Sequence, residues 1–356
     1  MTRDRKHAFL DTLLAAQRLA FAPFIFKAVS AALHTGFLEA VARHPGGTAE
    51  SYAEALEITP YAAAVMADIL AAADVLTRSP EGTLSTTPVA DCLLFDEMTR
   101  ANFFFADDVN YVGLDKTLEA LLETRPAGLA AFNPEWKTIY PHLPELPERA
   151  RRAWFGFDHF HSDRAYEAAL DVLASVNPAW RTLVDIGGNT GRFTKAFLDR
   201  FPESSAYFVD LPVETEALLA REEIAPYAAR IRTISIDWLT DSELEGTAGA
   251  DLYWMSQFLD CFSESEAKTI LERTRRAMRD GAALAVLEPL VDEQRHKAAE
   301  LSLAASSLYF TVMANGRSRF FNGLALRKLF CEAGLRIVSE HPNLGVSHTL
   351  FLLEKA

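Results

Sequence analysis

Residues 183–193 read LVDIGGNTGRF. An apolar run ends beside Asp185, a glycine-rich turn follows, and TKAFLDRF then reads as a helix. In open α/β sheets the ligand sits beyond the carboxyl ends of the strands, which is where this turn lies. Glycines at 187, 188 and 191 allow a sharp turn and close approach of the backbone to a ligand. Asn189 fits among them because asparagine tolerates positive φ better than most residues. The pattern is D-x-G-G-N-x-G, which lacks the G-x-G-x-x-G spacing of a dinucleotide site. A carboxylate at 185 aimed into the loop also repels a pyrophosphate, whose charge the helix N-terminus would hold. It suits a ligand that carries an ammonium and a sulfonium, and S-adenosylmethionine is such a ligand.

Strand and helix patterns alternate on either side of this turn. The runs SSAYFVDLP, RIRTISIDWL, ADLYWMSQFL and AALAVLEPLV read as further strands, with LRIVSEHP and SHTLFLLEKA closing the series. Such alternation predicts a doubly wound α/β sheet covered on both faces. The last two strands are joined too tightly for a crossover helix, so one of them runs antiparallel. Asp210 is expected to end the second strand, where a carboxylate accepts both ribose hydroxyls. Asp237 and Trp238 are expected to end the third, with the indole beside an adenine ring. Three acids in register after three successive strands carry more weight than any one of them.

The 356 residues are 49% hydrophobic, enough apolar material for more than one compact unit, and two domains are expected. Three scattered cysteines make neither a disulfide framework nor a zinc site. A formal charge of −14 disfavours nucleic acid and anionic membranes as partners. Asp11 and Arg18 interrupt any signal-peptide core, and no apolar run reaches the roughly 18 residues of a spanning helix. A cytoplasmic protein is expected.

Residues up to about 100 read as helical. Thr48 caps one short helix and Thr59-Pro60 opens another, while SPEGTLSTTPVADCLL reads as a hairpin-like wing. That is a winged helix-turn-helix pattern. From Thr59 through Thr77 it carries no Lys or Arg, and DNA readers depend on basic contacts to phosphate. A regulator that reads DNA under ligand control is the alternative this argues against. The first helix is apolar around much of its circumference (Phe9, Leu10, Leu13, Leu14), which points to a dimerisation module.

Taken together, LVDIGGNTG, FVDLP, GADLYWMSQFLDCFSESEAKTIL and DGAALAVLEPLV resemble the class I S-adenosylmethionine-dependent O-methyltransferases that carry an N-terminal winged-helix dimerisation domain. The caffeic-acid and bacterial natural-product enzymes are of this type. The resemblance implies a seven-stranded Rossmann-like sheet with the last strand antiparallel. It implies a winged-helix domain over 1–105 and a methyltransferase domain over 106–356, with a substrate-lining helical segment at 106–165. It also implies a homodimer formed through the N-terminal domain. S-adenosylmethionine would be held by Asp185, Gly187, Gly188, Asn189, Gly191, Asp210, Leu211, Asp237, Trp238, Ser256 and Gln257.

The chain departs from the family at its catalytic positions. The family base is a histidine in L-H-D-W-S-D, and here LDCFSE puts Asp260 in its place and Cys261 in place of the aspartate. The family's second acid is replaced by Ser318 in NGRSRF, so Glu288 is the one member that survives. An exposed aspartate near 3.9 is a poor base for a phenol near 10, so Asp260 serves only if burial raises its pKa. Three readings stay open: Asp260 as a base with a raised pKa; a nucleophile that is already acidic or is a ring carbon; or a paralogue that binds the cofactor without transferring methyl. His159 and His161 in FDHFHSD are candidates to replace the lost histidine. His348 reads as structural. Arg317 and Arg319, flanking Ser318, suit an anionic substrate.

Overall fold

The computed structural model describes residues 3–240 and 243–356, with side chains from Phe9 onward. The chain divides into two compact units, Met1–Asp107 and Asp108–Ala356.

The first unit is helical apart from a short antiparallel pair, β1 (Leu76–Arg78) and β2 (Leu84–Thr86). Thr48 Oγ1 accepts the Ser51 N–H at 3.4 Å, and Thr59 Oγ1 accepts the Ala62 N–H at 3.1 Å. These bonds satisfy amides that have no partner in the first turn of a helix. The wing is shorter than the sequence suggested. PVADCLL belongs to the helix Pro88–Phe95, because proline at a first helical position gives up an amide that would be unpaired anyway. Phe37, Leu38, Leu70, Leu76 and Leu84 fill the core of this unit. Among the described residues no single helix is long and apolar enough to cross a membrane; Phe9–Ala20 and Ala22–His34 reach that length only jointly, across a 67° bend.

The second unit opens with short turns and a 29-residue helix, Glu148–Val176. The sequence reading ended a helical segment at 165, and the structure runs one helix through that boundary. Ala150, Ala153, Trp154, Ser162, Ala165 and Ala169 are buried at helical spacing, and this continuous stripe carries the helix through the aromatic segment.

Seven strands follow: β3 (Thr182–Ile186), β4 (Ser205–Asp210), β5 (Ile231–Ser235), β6 (Leu252–Ser256), β7 (Ala283–Pro289), β8 (Leu335–Leu344) and β9 (His348–Lys355). They lie in the order β5-β4-β3-β6-β7-β9-β8, and β9 alone runs against its neighbours. Alternate residues feed cores on the two faces: Val184 and Ile186 pack with Tyr253, Met255 and Ile270, while Leu183 packs with Phe193, Phe197 and Trp254. The Phe193 and Trp254 rings stack at 3.7 Å between centroids. The strand order reverses between β3 and β6, so the loop after β3 opens at the topological switch point. One boundary differs from the sequence reading: β5 stops at Ser235, and Asp237 and Trp238 lie in the turn beyond it.

Candidate active site

The loop after β3 has left-handed backbone at Gly187 (φ +71), Asn189 (φ +51) and Gly191 (φ +79). At Gly187 space as well as φ demands glycine, because a Cβ would come within 2.2 Å of the Phe258 ring. The loop delivers the chain into the helix Arg192–Arg200.

Asp185 does not point at a ligand. It is 1% exposed and accepts the Thr194 hydroxyl at 2.5 Å, together with the Thr194 backbone N–H. Thr194 is in the first turn of that helix, so the carboxylate fills the anion site at the helix N-terminus from inside the protein. The sequence reading aimed this carboxylate into the loop, whereas the structure turns it onto Thr194. Burial pushes its pKa up to about 7 against the pull of Thr194.

Asp210, at the end of β4, accepts the Asn189 N–H at 2.7 Å and the Leu211 N–H at 2.7 Å. A carboxylate has about four acceptor sites, which leaves two for a diol. Burial raises this group to about 6. The side chain of Asn189 donates in the opposite direction, to Asp158 at 2.9 Å on the long helix. Asp158 is pushed up to about 7 by burial and by Asp163 and Asp260. His159, the next residue, meets Thr190 Oγ1 at 3.2 Å, and burial lowers it to about 4. The Arg192–Asp163 ion pair is a third link between this helix and the loop.

His161 points elsewhere, packing at 4.6 Å from Phe157 and 5.2 Å from Phe160, and burial lowers it to about 4. Two histidines at i and i+2 diverge on a helix, and these do. His348 is fully buried and meets Gln257 Oε1 at 2.5 Å. Gln257 itself is left-handed (φ +45), in the turn that leaves β6. Next to it the Ser256 hydroxyl is buried with no partner. Asp237 is exposed and closes its own turn by accepting the Leu239 N–H at 3.0 Å. Trp238 is 6% exposed and packs edge-on to Phe258, with its indole nitrogen unpartnered.

The second half of the site is the 3-10 turn Leu259–Cys261. Glu288, fully buried at the end of β7, accepts the N–H groups of Phe258 (3.1 Å) and Leu259 (2.9 Å) with Oε1. From the other side Asn315 donates to the Cys261 carbonyl at 2.6 Å and to Ser318 Oγ at 2.9 Å. Ser318 thus supports the turn through Asn315. Asp260 is 2% exposed, receives the Cys261 thiol at 3.5 Å, and is raised to about 7 by burial. Glu288 Oε2 has no donor if both carboxyls are ionised, and a proton shared with Asp260 provides one. Glu288 is held well above the usual carboxylate range by burial and by Asp260. Burial likewise pushes the phenols of Tyr140 and Tyr309 up, so both stay neutral. Trp154 donates to the Tyr309 hydroxyl at 2.7 Å.

Beyond this turn lies a cavity of about 450 Å³ bordered by Phe262, Thr311, Ser318 and Phe321. Arg317 and Arg319 reach it, but their guanidinium groups pair with Glu266 (2.8 Å) and Glu264 (3.5 Å). Asp158, Thr194, Tyr140 and Asn315 had no place in the sequence reading. Asp158 alone carried a signal, as the acid next to His159 in an aromatic segment.

The arrangement fits S-adenosylmethionine on its donor chemistry. Asp210 retains acceptor capacity, the buried hydroxyl of Ser256 lacks a partner, and several buried acids crowd one another without enough cations to balance them. A cationic nucleoside with a free diol answers all three.

A family model for the O-methyltransferase domain matches residues 163–336. The chain is 27% identical over 288 residues to O-methyltransferase SfmM3 of Streptomyces lavendulae, spanning 70% of this chain and 84% of that protein. It is 24% identical over 322 residues to 3-amino-4-hydroxybenzoate 4-O-methyltransferase of Streptomyces cremeus, spanning 88% and 82%. The solved structure of the S-adenosylmethionine-dependent methyltransferase SibL is similar with a TM-score of 0.71 over 96% of this chain and 98% of that one, at 21% identity, which shows a common fold. Residues 163–336 thus carry an O-methyltransferase domain, and the chain is similar to S-adenosylmethionine-dependent methyltransferases over most of its length.

Proposed function

We propose that this methyltransferase acts on a hydroxyl of a small aromatic or polyketide-like metabolite, with Asp260 accepting the proton. The loop 187–191, Asp210, Leu211, Asp237, Trp238, Ser256 and Gln257 would hold S-adenosylmethionine, and Asp185 would fix the loop. When bound, that group supplies an electrophilic methyl on a sulfonium. The chain's own task is to orient the acceptor and to free a lone pair on its oxygen.

The observation that carries this reading is the Asp260–Glu288 pair. Asp260, buried and raised to about 7, is closer to a phenol near 10 than an ordinary carboxylate is. Glu288 anchors the turn that presents it, and a shared proton discourages both carboxyls from ionising together. His159 and His161 are lowered to about 4, which makes them weaker bases than Asp260 and suits them to shaping the site. The Streptomyces cremeus relative is named for a hydroxyl on a benzoate ring, which favours an aromatic acceptor here.

The experiment is transfer of a carbon-13-labelled methyl to a panel of phenols and enolic acids, with the product read by NMR. A methoxyl resonance supports the reading; a methyl on ring carbon, or no transfer across the panel, counts against it.

We further propose a cytoplasmic homodimer formed through the first unit. Phe9, Leu10, Leu13, Leu14, Leu19, Phe21 and Phe24 are each more than 40% exposed, more large apolar side chains in one short stretch than isolated surface residues explain. Sedimentation velocity of Leu13→Glu should show a monomer where the wild type sediments as a dimer.

A further inference from the structure

We propose that Asp158 is the counter-ion for the ammonium group on the amino-acid arm of S-adenosylmethionine. This rests on the reading that residues 187–191 and Asp210 hold that molecule. Asp158 lies outside the glycine motif, on the helix Glu148–Val176. One loop residue ties it to Asp210: Asn189 gives its backbone N–H to Asp210 at 2.7 Å and its side-chain amide to Asp158 at 2.9 Å. The two carboxylates therefore lie on either side of Asn189. If Asp210 takes the ribose, the amino-acid arm leaves the ribose toward the second carboxylate.

Asp158 also interacts electrostatically with Asp260, the proposed base. It is thus bonded to the loop and within electrostatic reach of the proposed base. Its charged neighbours are two acids, Asp163 and Asp260, and Arg192, whose guanidinium is engaged by Asp163. Its hydrogen-bond donor is a neutral amide. A buried carboxylate in such company needs a cation to remain charged. A second feature also points to a ligand. Ser256 comes one step beyond the Ile186–Met255 pair, beside the loop, and its buried hydroxyl has no partner.

The test is titration calorimetry of wild type and Asp158→Asn with three ligands. S-adenosylmethionine has the ammonium and the sulfonium, S-adenosylhomocysteine has the ammonium alone, and 5′-methylthioadenosine has neither. The substitution is close to isosteric, and thermal melting checks that it folds. It is expected to weaken the first two by roughly tenfold to a hundredfold, the scale of a hydrogen bond to a charged group, and to leave the third unchanged. Asn189→Gly, which removes the amide but keeps the carboxylate, is expected to weaken the first two less than Asp158→Asn does. Equal weakening of all three ligands overturns the proposal in favour of a loop-bracing role. Weakening of S-adenosylmethionine alone overturns it in favour of a sulfonium contact, and no change in any overturns it outright. Failure of the wild type to bind any of the three overturns the cofactor site itself, and the inference with it.

Discussion

Glu288 holds two backbone N–H groups with one carboxyl oxygen and leaves the other to Asp260, so a single buried acid both anchors the turn Leu259–Cys261 and shares its proton with the proposed base. The family histidine titrates near neutrality by its own chemistry. Here an aspartate reaches the same range because burial raises it, against the pull of hydrogen bonds from Cys261 and Glu288.

Asp260→Asn should lower turnover by about a hundredfold or more, the usual worth of a general base, while affinity for S-adenosylhomocysteine changes less than about threefold. In the wild type, turnover should rise with pH through about 7 and level off above it, since the base acts when deprotonated. Initial rates from pH 5.5 to 9 check both, and a flat profile would remove Asp260 from the mechanism.

Glu288→Gln and Glu288→Leu should separate. Glutamine keeps an acceptor for Phe258 and Leu259 and a donor for Asp260, so the midpoint should stay near 7. Leucine removes that donor while Asp260 stays buried, so the midpoint should move upward. It also orphans two buried amides, at about 1–3 kcal/mol each, measurable by urea denaturation.

Cofactor binding should release protons near pH 6.5. Asp158, Asp185 and Asp210 have pKa values raised to about 7, 7 and 6, and a cationic ligand favours their charged forms. The same shifts set the stability of the unliganded protein. An acid whose pKa is higher folded than unfolded stabilises at low pH, and that contribution is lost as pH rises from about 4 through about 7. His159, His161 and His348 act with the opposite sign, gaining as pH rises from about 4 (about 3 for His348) to 6.5. Above 6.5 the acids alone remain, so melting temperature should fall from pH 6.5 to 8. Calorimetry in buffers of different ionisation enthalpy, and melts across that range, give both readouts.

Thr194→Val should cost about 1–3 kcal/mol, because it removes the hydroxyl donor to a carboxylate buried at 1% exposure. Chemical denaturation gives the loss. Turnover per bound cofactor should be unchanged, since Asp185 braces the loop and does not face the ligand.

Gly187→Ala should destabilise by about 1–3 kcal/mol through backbone strain and overpacking. The new Cβ meets the Phe258 ring, so Phe258→Leu in the same chain should recover the steric part and leave the cost of φ. Thermal melts of the single and double variants separate the two.

The sheet was legible because its strands are short apolar runs with glycine turns between them, and all seven strand runs are strands here. The glycine loop was legible for the same local reason. The orientation of Asp185 was not, since a carboxylate at a strand end can serve a ligand or the next helix, and only the position of Thr194 decides. The continuity of the long helix was not legible because FGFDHFHSD has no clean apolar period, and the buried residues of the helix are mostly Ala and Ser. Asp158, Tyr140 and Asn315 reach the site from distant parts of the chain, and no local pattern brings them together.

The placement of β9 between β7 and β8 has a consequence for biosynthesis. The strand Ala283–Pro289 is buried along nearly its whole length, yet its partner on one side is His348–Lys355, roughly sixty residues further along. While a ribosome is making that interval, β7 presents a bare apolar edge of the sort that recruits other chains. A nascent chain stalled there would be a natural client for chaperones, and one that runs on to β9 would no longer need them.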